Sequence, residues 1–248
     1  HKKFKIIDKK EFKKNFPLKK NYENKLRLSW NIGLGNIHNS FNSLYKISRF
    51  FFPLLIIKRF SDNFVKPEKF REIDFFFRGS VNYDRNTVKF HREKLFDDLK
   101  TKLSKKNYVS VIGKNVFHKN SISEFIKKAK GRLSNSEYKK IQNSSKISFS
   151  PFGWGELGAR DYEIILGGSL LVKPRMDHME TWPNIFIPHK TYVPLEWDFS
   201  NLDEIFETFV TNDKLRNEII LNSQEVYRES INESGMEKFC NWFLKQIQ

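Results

Sequence analysis

The stretch "KISFSPFGWGELGARDYEIILGGSLLVKP" (146–174) contains two short apolar runs, with a glycine-rich loop and a helical segment between them. The runs "KISFSP" (146–151) and "SLLVKP" (169–174) are typical of buried strands, and "ELGARDYEIILG" (156–167) is typical of a helix. A strand, a helix and a further strand form a crossover unit whose two strands are parallel. The stretch therefore predicts a parallel sheet that is covered by helices on both faces.

The rest of the chain continues this alternation of strands and helices. Strands are predicted at 73–79, 108–113 and 192–197, and helices at 85–105, 121–130, 136–143, 201–210 and 213–247, the last range as two helices. The sequence thus predicts an α/β fold with a Rossmann-like parallel sheet. We divide it into a basic N-terminal region (1–70), a Rossmann-like domain (71–232) and a C-terminal helix (233–248).

Length and composition favour a folded chain. The 248 residues are 39% hydrophobic and 15% aromatic, which suffices for a substantial core. The single cysteine, Cys240, excludes an internal disulfide framework and a multi-cysteine zinc site. No segment has the pattern of a signal peptide or a membrane-spanning helix. The chain begins with His1, which leaves open a start methionine, a targeting segment or a further domain upstream.

Positive charge is concentrated in the first part of the chain. Residues 1–145 carry 35 Lys and Arg against 13 Asp and Glu, whereas residues 146–248 carry 10 against 16. Such an asymmetry is expected where the basic part meets a polyanion or an anionic membrane, but a general lysine bias with solvated charges explains the same counts. The segment "RFFFPLLIIKRF" (49–60) is compatible with two alternatives. It is either a buried strand or helix, or a membrane-docking patch with basic flanks.

The loop "PFGWGE" (151–156) has features of an anion-binding site. Its glycines allow a ligand to approach the backbone, and the helix predicted behind it offers unpaired N–H groups. It matches neither the P-loop pattern nor G-x-G-x-x-G. On a helix beginning near Gly155, the side chains of Glu156, Arg160 and Glu163 would line one face. Such a stripe either binds a polar ligand or forms a salt-bridge ladder on the surface.

The segment "SPFGWGE…RDYEIILGGSLLVKP" resembles the donor-site segment of glycosyltransferases with the GT-B fold, in particular exostosin-like and group 1-like enzymes. The resemblance covers roughly residues 72–230 and is most specific at 149–174. It implies that the chain contains the donor-binding C-terminal domain of a GT-B enzyme, with a reduced or truncated N-terminal acceptor region. Six residues separate Glu156 from Glu163, one fewer than in the common pattern of the family.

The resemblance also implies roles for single residues. The loop and the helix start would hold the donor diphosphate, Glu163 the ribose hydroxyls, and Glu156 the sugar or its phosphate. Arg78 and Lys114, which end the first two predicted strands, would neutralise the departing diphosphate. The full donor-binding set comprises Arg78, Gly79, Lys114, Gly153, Trp154, Gly155, Glu156, Arg160 and Glu163, with His178 as a further candidate contact to the donor. The catalytic base would come from the acceptor side, so no catalytic residue is assigned.

These residues imply a hexosyl- or pentosyltransferase that moves a sugar from a nucleotide-sugar to a glycan or lipid-linked acceptor. Its product would be a surface polysaccharide or a glycoprotein glycan. The sequence lacks a D-x-D metal motif, so neither a metal nor another cofactor is expected, and EDTA should leave activity unchanged. We expect a cytoplasmic protein with peripheral attachment to an anionic membrane, and no nucleic-acid partner. The alternatives are a basic nucleic-acid-binding protein, for which no motif is found, and a non-catalytic sugar-nucleotide-binding relative.

Overall fold

The computed structural model describes residues 3–4, 63–81, 83–106, 108–117, 133–153 and 155–247. The helix predicted at 121–130, the segment 49–60 and Trp154 lie outside these residues, as does most of the predicted N-terminal region. The described elements are, in chain order, β1 Lys3–Phe4, β2 Ile73–Phe77, α1 Asn86–Lys105, β3 Ser110–Ile112, β4 Asn115–Phe117, α2 Asn135–Gln142, β5 Ser145–Phe149, α3 Ala159–Leu166, β6 Leu170–Pro174, β7 Met179–Glu180, β8 Val193–Leu195, α4 Leu202–Thr211, α5 Asp213–Ile231 and α6 Glu233–Ile247.

Six of these strands form one sheet in the order β4-β3-β2-β5-β6-β8. Strands β3, β2, β5, β6 and β8 run parallel, and β4 pairs antiparallel with β3 at the edge. From β2 the chain moves to one side, to β3, and then returns to the other side, to β5. The winding direction therefore reverses between β2 and β5, and a crevice is expected beyond the carboxyl ends of these two strands. The predicted α/β fold with a mostly parallel, Rossmann-like sheet is confirmed.

Helices cover both faces of the sheet. Helices α1 and α4 pack on one face, where Leu99 and Phe206 meet Phe75 of the central strand β2. Helix α2 packs on the other face through Ile141, and α3 does so through Ile164. Each such side chain stabilises the fold by about 1.5–3 kcal/mol when fully buried. The apolar residues whose spacing predicted these helices are therefore the residues that the helices bury against the sheet.

Helix α3 begins later than the sequence predicted. Gly158 is its N-cap residue, and the Gly158 N–H donates to the Asp161 carboxylate at 3.0 Å. This cap fixes the start of the helix three residues after Glu156. The predicted helix face with Glu156, Arg160 and Glu163 in one stripe is therefore wrong, because only Arg160 and Glu163 belong to the helix.

Strand β3 turns back at its end instead of leaving the sheet directly. Gly113 adopts a positive φ of 60°, and its N–H donates to the carbonyl of Phe77 at 2.6 Å. The turn at Gly113 and Lys114 leads into β4, an edge strand that the sequence analysis did not predict. No helix in the described part of the chain is long and apolar enough to cross a membrane.

Candidate functional site

The candidate site lies beyond the carboxyl ends of β2 and β5, where the winding direction of the sheet reverses. Arg78 and Gly79 follow β2 directly, and the loop 150–158 follows β5. Helix α3 after this loop and helix α1 after the β2 loop both begin at the same edge of the sheet. Helix α2 precedes β5 and ends near the amino end of that strand, so its first residues also lie at this carboxyl edge of the sheet. Three helix starts and two loops thus surround one crevice.

Gly79 marks the point at which two arginine side chains converge. A Cβ atom at this position would lie 2.5 Å from Nη2 of Arg160 and 2.8 Å from Nη2 of Arg92. Arg160 comes from α3 and Arg92 from α1, so two separate helices direct positive charge to one backbone position. Glycine is the residue that leaves room for both guanidinium groups there.

Arg92 is a buried cation whose described hydrogen-bond acceptors are backbone carbonyls, and its guanidinium also lies over the rings of Phe77 and Tyr83. Its side chain is 2% exposed and donates to the carbonyls of Ser80 at 2.7 Å, Pro151 at 3.1 Å and Phe152 at 2.9 Å. The Nη2 atom is buried without a hydrogen-bond partner among the described residues. Burial, with the positive charge of Arg160 next in importance, lowers the pKa of Arg92 to about 10, so it remains charged at neutral pH. A buried charge without an anion is costly, and an anionic ligand would offset that cost.

Tyr138 and Arg78 complete the polar groups around this point. Tyr138 lies on α2 and is hydrogen-bonded to the Arg160 side chain. Burial raises the pKa of Tyr138, and the nearby carboxylate of Glu163 raises it further, while the positive charges of Arg160 and Arg78 act in the opposite direction. Burial lowers the pKa of Arg78. We call Arg78, Arg92 and Arg160 the arginine cluster.

A small cleft of about 300 Å³ opens between α2 and α3 on one side of the arginine cluster. Its lining consists of Asn135, Tyr138, Lys139, Arg160 and Glu163. The first turn of α2 is held in place by a capping box, in which the Ser134 hydroxyl accepts from the N–H of Glu137 and the Glu137 carboxylate accepts from the N–H of Ser134. The small cleft therefore combines an amide, a phenol ring and a carboxylate on two fixed helix starts.

A large cleft of about 650 Å³ opens on the other side of the loop 150–158. Phe152, Gly153, Gly155 and Glu156 of that loop line it, and the remaining lining residues come from α1 and from the ends of β6 and β8: Arg85, Thr87, Val88, Pro174, Arg175, His178, Glu196 and Trp197. Its lining thus includes two carboxylates, Glu156 and Glu196. Burial lowers the pKa of His178, and the charges of Glu156 and Asp177 partly oppose this shift.

A buried ion pair fixes the loop between the two clefts. Lys173 of β6 lies 3.1 Å from the carboxylate of Asp161, and each side chain is at most 1% exposed. Lys173 also donates to the carbonyl of Glu156 at 2.5 Å, and Asp161 accepts from the Ser150 hydroxyl at 2.5 Å. The pair therefore ties both ends of the glycine loop to the sheet. The Asp161 carboxylate already caps the start of α3, so positive charge for a ligand comes mainly from the arginine cluster.

The structure brings most of the predicted site residues to this edge but separates them into groups. Arg78, Gly79, Arg160 and Glu163 lie around the arginine cluster and the small cleft. The large cleft receives Gly153, Gly155, Glu156 and His178. Lys114 is exposed in the turn between β3 and β4, outside the linings described for both clefts. Trp154 is outside the described residues.

Many residues of the two cleft linings were not predicted from the sequence, and the most informative of the unpredicted site residues are Arg92, Tyr138 and Trp197. Arg92 stands in a charged helical stretch where arginine is normally solvent-exposed, and only the fold buries it. Tyr138 and Trp197 follow no recognised motif. A signal for Arg92 was available nonetheless, because it lies one helical turn before Leu95 and two turns before Leu99 on the buried face of α1.

Comparison with protein-family models and with curated proteins finds no match for this sequence.

Proposed function

We propose that this protein is a nucleotide-sugar-dependent glycosyltransferase whose donor-binding domain has the GT-B type of fold. The observation that carries the proposal is the arginine cluster between two clefts at the reversal point of the sheet. A nucleotide-sugar has three parts in a matching order: a nucleoside, a negatively charged diphosphate, and a sugar. The diphosphate would bind the cluster, the nucleoside the small cleft, and the sugar the large cleft.

The chemistry of each part supports this order. Arginine donates paired hydrogen bonds that match phosphate oxygens, and Arg92 has a buried Nη2 atom that lacks a partner among the described residues. Glu163 in the small cleft would accept hydrogen bonds from the ribose hydroxyls, beside the ring of Tyr138. Glu156 in the large cleft would accept hydrogen bonds from the sugar. The acceptor would be a glycan or a lipid-linked sugar.

In the proposed reaction, a hydroxyl oxygen of the acceptor forms a bond to the anomeric carbon of the sugar and gives its proton to a base on the acceptor side. The bond from that carbon to the phosphate oxygen breaks, and the nucleoside diphosphate leaves with the electron pair. Negative charge grows on the departing oxygen, so fixed guanidinium groups stabilise the transition state more than the bound donor. Loss of one such contact raises the barrier by about 2.7–4 kcal/mol, or about 10²–10³-fold in rate.

The test is release of nucleoside diphosphate from a panel of nucleotide-sugars, with the full chain and with the variants Glu163→Ala and Arg78→Ala. We expect turnover with at least one donor, and loss of most of it in both variants at unchanged thermal stability. Lys114→Ala should lose less activity than Arg78→Ala, because Lys114 is exposed in the turn between β3 and β4, whereas Arg78 is partly buried near Tyr138. Failure of the wild-type chain both to turn over any donor and to bind any nucleoside diphosphate would overturn the proposal.

A further inference from the structure

Trp197 presents a large apolar surface inside the large cleft. Its side chain is 57% exposed and lines the cleft beside Phe152 and Glu196. Single exposed aromatic residues are common on protein surfaces and need no explanation by themselves. Trp197 differs because its neighbours hold the indole ring in one orientation.

The support behind the indole is His91 of α1. The two rings are stacked, with centroids 3.8 Å apart and planes 19° from parallel. The imidazole is 3% exposed and is also hydrogen-bonded to the backbone of Trp197. Phe152 packs against the indole from the loop side, at 6.1 Å between centroids. One face of Trp197 is thus held by the protein, which lowers the entropic cost of stacking a ligand on its open side.

The polar groups of the large cleft complement this apolar surface. Glu156 and Glu196 supply acceptor oxygens, and Arg85 and Arg175 supply N–H donors. Arg175 is already paired with Glu196 at 3.1 Å and with Asp177 at 2.6 Å, so a ligand would use the remaining donors and acceptors of that pair. A sugar ring has an apolar C–H face and a rim of hydroxyl groups, so it can stack on an indole while its hydroxyls bind charged side chains. A nucleobase would also stack, but it offers fewer O–H and N–H donors to two carboxylates.

The position of the large cleft indicates that it would hold the sugar of the donor, and not the sugar of the acceptor. Phe152 lines the cleft, and its carbonyl accepts a hydrogen bond from Arg92 of the arginine cluster. A diphosphate bound to the cluster would therefore have this cleft beside it, on the far side of Phe152. We propose that Trp197 is the stacking platform for the sugar of the nucleotide-sugar donor, and that it determines which sugar is accepted. This inference rests on the proposed function. It adds Trp197 to the donor site, although the resemblance to GT-B enzymes did not include this residue.

Calorimetric titration of the full chain with UDP, GDP, UDP-glucose, UDP-N-acetylglucosamine and GDP-mannose tests the assignment. In Trp197→Ala we expect the affinity for the preferred nucleotide-sugar to fall about fivefold or more, while the affinity for the matching nucleoside diphosphate stays unchanged. Trp197→Phe should retain most of the sugar contribution. Phe90→Ala is the matched control, because Phe90 is a 69% exposed aromatic on α1 outside the described cleft lining.

Three results would overturn the assignment, and each has a different meaning. An equal loss of affinity for nucleoside diphosphate and nucleotide-sugar in Trp197→Ala would show that a base stacks there. If Trp197→Ala leaves donor affinity unchanged but abolishes binding of a methyl glycoside to the protein saturated with nucleoside diphosphate, the acceptor occupies the cleft. If the wild-type chain binds none of the five compounds, the proposed function fails and this inference fails with it.

Discussion

At the scale of single residues, Arg92 carries the strongest indication of an anionic ligand. It is buried and positively charged, and it donates to three backbone carbonyls while its Nη2 atom has no hydrogen-bond partner among the described residues. The carbonyls satisfy part of the guanidinium but do not cancel its charge, and Arg160 adds a second positive charge nearby. Two like charges repel each other, and an anion between them would offset that repulsion. We propose that an anionic ligand offsets this cost to folding.

His91 provides a prediction about pH. Burial lowers the pKa of His91 to about 4, whereas an unfolded histidine titrates near 6.5. Between these values the unfolded chain binds the proton and the folded chain does not, so stability decreases as the pH falls from about 6.5 toward 4. Between pH 7 and pH 5 the contribution lost is about 2 kcal/mol.

The measurement is the free energy of unfolding in urea at pH 7 and pH 5, for the wild type and for His91→Phe. Phenylalanine keeps an aromatic ring behind Trp197 but does not titrate. We expect the variant to lose clearly less stability than the wild type between the two pH values. Identical losses would contradict the account of His91 as a buried neutral imidazole.

At the scale of elements, the loop 150–158 owes its shape to the ion pair of Lys173 and Asp161. Replacing one member leaves the other as a buried charge without its partner, and such changes cost about 3–5 kcal/mol. We therefore expect Lys173→Met and Asp161→Asn each to be strongly destabilising in urea unfolding. The double variant should be destabilised by clearly less than the two single costs added together.

The matched control for these single and double variants is the exposed pair of Lys94 and Asp98 on α1, in which Nζ and Oδ2 are 2.9 Å apart. An exposed pair of this kind contributes at most about 1 kcal/mol, so Lys94→Met and Asp98→Asn should cost little. Strict additivity of the Lys173 and Asp161 variants would contradict the role assigned to the buried pair.

The sequence predicted the described elements of the sheet well, because apolar runs and helical spacing report burial directly. It failed where a local contact decides a boundary. The start of α3 depends on the Gly158 N–H reaching the Asp161 carboxylate, and strand β4 depends on Gly113 adopting a positive φ. It also failed for Arg92 and Trp197, because burial of an arginine and the stacking of Trp197 on His91 depend on chain segments far apart in sequence.

At the scale of the whole molecule, the uneven charge of the chain predicts attachment to anionic surfaces. The segment 49–60 and the lysine-rich start lie outside the described residues, so this expectation comes from the sequence alone. Each Lys or Arg near an anionic membrane contributes roughly 1 kcal/mol, and the attraction falls off within a Debye length. We expect co-sedimentation with phosphatidylserine vesicles at low salt, release at high salt, and weaker binding after replacement of Phe50, Phe51 and Phe52 by serine. If the chain stays in the supernatant at low salt, the charge reflects composition.

We propose that the crevice beside Gly79 holds the diphosphate of a nucleotide, and a pair of glycine variants can test whether it does. A Cβ at Gly79 would lie 2.5 Å from Arg160 and 2.8 Å from Arg92, whereas a Cβ at Gly158 would meet nothing within 4 Å. The atoms met at Gly79 belong to side chains and not to the backbone, so Gly79→Ala should fold but push the two guanidinium groups apart.

The measurement is the affinity of the nucleoside diphosphate for Gly79→Ala and Gly158→Ala, together with their thermal stability. We predict that Gly79→Ala loses about tenfold or more in affinity, whereas Gly158→Ala binds like the wild type, with both variants folded. A Gly79→Ala protein that binds the nucleoside diphosphate as tightly as the wild type would contradict the claim.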